Sequence, residues 1–92
     1  MHRIFKYSIP CMEKFSVELP IGARIVRVDD VDGKFWLWAI VDDEAQKELR
    51  HIECYKTGQP ILTPLENLTY LGCCKLFIMQ ELCLYMFEVP NA

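Results

Sequence analysis

The chain has 92 residues, of which 52% are apolar and 25% charged, and its formal net charge is −3. That length makes one domain, residues 1–92, and the apolar share excludes a disordered polymer. The mild negative balance argues against general nucleic-acid binding, which needs a basic surface, and is too weak for a mimic of DNA.

The elements read as strands from end to end. RIFKYSI (3–9) is a short β-like run that stops at Pro10. KFSVELP (14–20) alternates, with Phe15, Val17 and Leu19 on one face and Ser16 and Glu18 on the other, the pattern of a strand with one wet face. Pro20 and Gly22 then turn the chain. ARIVRVDDV (23–31) puts Arg24, Val26 and Val28 on one face and Ala23, Ile25 and Arg27 on the other. VDGK (31–34) holds Asp-Gly, the dipeptide of a type I′ turn, whose two central residues both need positive φ. It joins the preceding strand to KFWLWAIVD (34–42) in a hairpin. DDEAQKE (42–48) is polar, a loop or a single helical turn. LRHIECYKT (49–57) is a return strand with Leu49, His51, Glu53 and Tyr55 opposite Arg50, Ile52, Cys54 and Lys56. TGQPILTPLENL (57–68) contains Gly58, Pro60 and Pro64 and is an irregular connection. TYLGCCKLFIMQ (69–80) and LCLYMFEVP (82–90) are the last two strands, with a tight turn at Gln80–Glu81. Residues 74–87 also fit a helical period through Leu76, Met79, Leu82, Cys83 and Met86. Their aromatic content and the parallel with the earlier hairpin favour strands.

The expected fold is therefore all-β: a small antiparallel meander of about six or seven strands, either one curled sheet or a two-layer sandwich. One strand raises a difficulty. In FWLWAIVD (35–42), Phe35, Leu37, Ala39 and Val41 point one way, while Trp36, Trp38 and Ile40 point the other, so both faces are apolar. Left open to water, the second face would promote association. It is expected to be covered by the last two strands or by a second subunit, and a twofold homodimer fits so apolar a small chain.

The chemistry-bearing residues form no recognisable site. The five cysteines, Cys11, Cys54, Cys73, Cys74 and Cys83, are an odd number. MHRIFKYSIP lacks the apolar core of a secretory leader, so a reducing cytoplasm and free, largely buried thiols are expected. Zinc needs ligands paired at short spacing, whereas Cys73 and Cys74 are adjacent and His2 and His51 lie far apart. No metal or other cofactor is expected. Lys75, Gln80 and Glu81 interrupt the longest apolar run before it reaches the ~20 residues of a membrane span. Ser8 and Ser16 lack a nucleophile elbow. His51 and Cys54, three apart on a strand, face opposite ways. Asp29, Asp30 and Asp32, and Asp42, Asp43 and Glu44, read as solvated turn residues rather than a cation site. No catalysis is expected. The pair Trp36 and Trp38 is a second core layer or an interaction surface, with Arg24 on the hairpin's partner strand placed to stack beside the rings.

Three stretches carry a family resemblance. LPIGARIVRV (19–28) resembles an L-P-x-G-A-x-I-L-x-V element, LWAIVD (37–42) an L-W-A-x-V-D element, and KTGQPI (56–61) a G-T-G-x-x-I element. YLG (70–72) and LYMFE (84–88) match the closing strands. In order and length the chain is similar to a family of short proteins encoded by tailed phages and prophages, with Lys56 where a glycine is common. The resemblance implies a non-enzymatic accessory protein working in the cytoplasm of an infected bacterium. The preferred reading is inhibition of a host antiviral defence protein by protein–protein contact. A second is a sponge for a nucleotide immune messenger, in which Arg24, Arg27, Arg50 or Lys56 meets phosphate in an aromatic-lined pocket and the TGQP loop (57–60) offers backbone N–H groups. A third is a minor structural or assembly protein. The candidate binding residues are Trp36, Trp38, Arg24, Arg27, Arg50, Tyr55, Lys56, Thr57 and Gly58.

Overall fold

The computed structural model describes residues 1–90. It contains seven strands: β1 (His2–Ile9), β2 (Lys14–Pro20), β3 (Arg24–Val31), β4 (Lys34–Asp42), β5 (Lys47–Lys56), β6 (Thr69–Ile78) and β7 (Gln80–Val89). A single 3-10 turn, Leu65–Asn67, lies in the connection before β6. The protein is all-β, with every strand pair antiparallel. A first sheet has the order β1-β4-β3 and a second the order β2-β5-β7-β6. Residues 74–87, which also fitted a helical period, are strands.

The two hairpins form where sequence neighbours pair. Asp32 (φ 52°) and Gly33 (φ 78°) are both left-handed, as a type I′ turn requires. The β6–β7 ladder runs on to Ile78↔Gln80, so the chain reverses at Met79 alone and Gln80 and Glu81 belong to β7 rather than to a turn. Elsewhere the connectivity departs from a simple meander. β4 is flanked by β1 and β3 and has no free edge for β5, which pairs instead with β2 and β7. The chain therefore changes sheet between β1 and β2, between β2 and β3, and between β4 and β5.

The core fills the space between the sheets. The inner row of β4, Phe35, Leu37, Ala39 and Val41, meets Ile9 and Val28 beside it and Leu19, Ile52, Cys54, Cys74, Leu84 and Met86 from the second sheet. Each large side chain buried there contributes about 1.5–3 kcal/mol. Arg50 on β5 clasps the layers at one end: its guanidinium makes two hydrogen bonds to the Glu88 carboxylate on β7 and donates to the Ala23 carbonyl at 2.7 Å.

Along one side, β3 and β6 meet without a backbone ladder. A bulge between Tyr70 and Gly72 brings β6 close, and a Cβ on Gly72 would lie 2.8 Å from the Val28 side chain. The φ of Gly72, 137°, is also one that side-chain-bearing residues rarely adopt. Beyond this contact the Asp30 carboxylate accepts the Lys75 backbone N–H at 2.8 Å, occupying an edge donor that has no strand partner. Gly72→Ala is expected to destabilise the protein by about 2 kcal/mol through clash and strain, lowering the melting temperature on the order of 10 °C in a thermal scan.

Candidate functional site

Strand β4 sends Trp36, Trp38 and Ile40 outward from the first sheet, and all three are half-buried. Ser8 and Asp29 flank Trp36, Lys6 and Arg27 flank Trp38, and Ile4 and Arg24 flank Ile40. The Lys6 ammonium lies 4.2 Å from the centre of a Trp36 ring, on the diagonal, and the Arg27 guanidinium 4.2 Å from a Trp38 ring. Arg27 also donates to Asp29 at 2.6 Å. That bond, with the Asp30 N–H, holds the Asp29 carboxyl below the usual carboxylate range.

Two expectations are corrected here. The last two strands do not cover this face, because β6 and β7 lie in the second sheet. The indoles are instead lidded by the cationic side chains, whose apolar stems lie over the sheet while their charges stay in water. The residue beside Trp38 is Arg27, whereas Arg24 sits opposite Ile40. A bulge between Ile25 and Arg27 accounts for this. Val26 is extra to the ladder and 47% exposed, so Arg24 and Arg27 share the outer row while Ile25 and Val28 face inward. Strict alternation had divided the two arginines between opposite faces.

The structure brings Trp36, Trp38, Arg24 and Arg27 together and sets the other candidates elsewhere. Arg50 faces inward, its charge already engaged by Glu88, which raises the guanidinium pKa further. It borders a cleft of about 480 Å³ that also presents Glu48 and Glu66. One guanidinium among three carboxylates makes a poor phosphate site. Tyr55 lies on the outer face of the second sheet, packed edge-on against Phe87 with ring centres 6.1 Å apart. Its hydroxyl donates to Glu53 at 2.5 Å, and the Thr63 hydroxyl donates to the same oxygen at 2.7 Å. This ties the 57–68 connection onto the sheet, and the Tyr55 bond holds the Glu53 carboxyl below its ordinary range. Lys56, Thr57 and Gly58 form the exposed turn at the end of β5, where the Lys56 N–H is taken by the Gln59 side chain at 3.0 Å. Arg50 and Lys56 are thus about 20 Å apart along one strand.

Sequence reasoning missed Lys6, and it read Asp30 as a solvated turn residue whereas Asp30 is half-buried and accepts the Lys75 N–H. A cation alternating with Ile4 and Ser8 on β1 was visible, but its place over Trp36 depends on β1 pairing with β4 from the far end of the chain. On the second sheet, Ser16 Oγ lies 2.7 Å from His51 Nδ1 as a cross-strand pair. Among the described residues no carboxylate bonds to His51, and Cys54 faces the other way. Burial pushes the Cys54 and Cys74 thiols up to about 12. Among the described residues no group of His, Cys, Asp or Glu is placed to hold a metal ion, and no helix is long and apolar enough to cross a membrane.

A family model described as Domain of unknown function (DUF7352) matches residues 1–92. No curated protein and no solved structure matches the chain.

Arg27→Ala is expected to uncover Trp38, red-shifting tryptophan emission and costing about 1 kcal/mol in denaturant unfolding. Arg24→Ala should leave the emission unchanged and stability within about 0.5 kcal/mol. Iodoacetamide at neutral pH should alkylate exposed Cys11 while Cys54 and Cys74 stay unmodified until the protein unfolds, as read by peptide mass spectrometry.

Proposed function

The chain belongs to the family described as Domain of unknown function (DUF7352), and since that description names no activity, we propose a function from the chain's own surface: it is a binding protein rather than a catalyst, and its outer sheet face grips an acidic surface on another protein. The observation that carries this reading is the row of Lys6, Arg24 and Arg27 around Trp36 and Trp38, three cations against one carboxylate, on a chain whose net charge is −3. Tryptophan and arginine are the side chains that anchor protein interfaces, since they bury a large area and still offer directed polar contacts. The face is open and broad, as a protein partner needs. A nucleotide needs an enclosed pocket with converging cations, and here Arg50 is engaged by Glu88 and Lys56 lies at the other end of β5. The non-catalytic reading is supported by the Ser16–His51 pair, in which, among the described residues, no carboxylate orients the imidazole.

The biological setting comes from the resemblance of LPIGARIVRV, LWAIVD and KTGQPI to phage and prophage proteins. In that setting the partner is a host antiviral defence protein in the bacterial cytoplasm, and binding inhibits it by occupying its acidic surface.

The test is native mass spectrometry of the protein purified from a bacterial host, in parallel with a Lys6→Glu/Arg27→Glu variant whose circular dichroism is checked. A stoichiometric host protein that accompanies the wild type and is lost from the variant is the expected result. A bound nucleotide, association with virions, or capture that survives the charge reversal would overturn the reading.

A further inference from the structure

The β6–β7 hairpin outruns both strands that flank it. β5 pairs with β7 for the last time at Lys56↔Leu84, so Gln80–Cys83 lie beyond it. On the other side, Asp30 takes the Lys75 N–H and Leu76 still packs against the core, so that of β6 only Phe77 and Ile78 stand clear. Residues 77–83 are therefore an arm two strands wide. A lone two-stranded hairpin is marginally stable in water. This one is also unusually apolar at its tip, where Phe77, Ile78 and Met79 are 76%, 62% and 104% exposed.

Met79 occupies the single reversing position at φ 62°, where glycine or asparagine is cheaper by about 1 kcal/mol or more. A fully exposed apolar side chain has no turn-forming reason to stand there. The three tip residues make a patch on the order of 400 Å², the size at which monomers carry an interaction site.

We propose that the Phe77–Cys83 arm is a self-association device, lying antiparallel against the same arm of a second copy of this chain about a twofold axis. Free strand edges are completed by another extended segment, and an identical edge related by a twofold axis satisfies both partners at once. The arm's charges favour a copy over an acidic partner. Lys75 at the base of the arm and Glu81 near its tip sit 3.8 Å apart on the outer side, one of each sign, so a copy lying antiparallel, tip against base, brings the Glu81 of each arm toward the Lys75 of the other. Burying the tip of each arm, with Leu82 and the paired edges, brings the interface to about 1,000 Å², the floor for specific association. The arm belongs to the second sheet and the Trp36–Trp38 face to the first, so the dimer leaves that face free. The inference is independent of the acidic-partner reading.

Light scattering on size-exclusion fractions of the full chain should give twice the 10.8 kDa chain mass at micromolar concentration and above. Met79→Gly relieves the turn, so it should keep or raise the melting temperature while weakening the dimer by about tenfold. Phe77→Lys should leave a folded monomer. Lys6→Glu/Arg27→Glu should remain dimeric. A monomeric wild type, a dimer indifferent to both arm substitutions, or a dimer broken by the Lys6/Arg27 pair while the arm variants still associate would each overturn the proposal.

Discussion

Strand β4 is apolar on both sides, and much of the molecule follows from hiding one side completely and the other by half. Its inner row, Phe35, Leu37, Ala39 and Val41, is between 0% and 4% exposed and meets the core residues of the second sheet. That burial fixes β4 in the middle of the first sheet, with β1 and β3 taking its two edges. No layer remains for the outer row. Lys6 and Arg27 lid the two indoles at 4.2 Å, an arrangement worth about 0.5–1 kcal/mol apiece at exposed sites. This is well short of what full burial of a large side chain returns, so the proposed acidic partner would gain by covering the indoles while satisfying the charges beside them.

One-residue irregularities decide which side chains meet. Val26 adds a residue to β3, and that shift carries Arg27 onto the tryptophan row beside Arg24. The bulge at Tyr70–Gly72, with a glycine where any Cβ would strike Val28, lets β6 approach β3 closely. Asp30, next to the hairpin turn, then reaches Lys75 across 45 positions of sequence. The first irregularity shapes the tryptophan face and the second closes one side of the sandwich.

What was legible in the sequence was local. KFSVELP alternates because β2 has one wet face, Asp32–Gly33 turns because both residues take positive φ, and Gly58, Pro60 and Pro64 keep the 57–68 segment out of the ladders. The two apolar faces of β4 were equally plain. Strand order was not, because alternation says which face a side chain takes and nothing about which strand lies alongside. Lys6 acquires its role by pairing across more than thirty positions, and the Arg50–Glu88 bond spans 38. The bulge was hidden for a different reason. Val26 and its neighbours suit either parity, and the ladder settles the parity by tertiary packing.

The negative charge of the whole chain does not oppose an acidic partner at the tryptophan face. At physiological ionic strength charges are screened over about 8 Å. A partner docked on the outer row of the first sheet is within that distance of Lys6, Arg24 and Arg27, which lie on adjacent strands. The carboxylates of the cleft, Glu48, Glu66 and Glu88, belong to the far sheet and to the connection beyond it. Of the carboxylates on that face, Asp29 is neutralised by Arg27 at 2.6 Å and Asp42, beyond Ile40, by the N-terminal amine at 3.3 Å. The field felt at contact is therefore set by a few local side chains rather than by the chain total. Composition excluded a broadly basic nucleic-acid surface, but it could not see that the fold sets Lys6 and Arg27 against the indoles and Glu88 against Arg50.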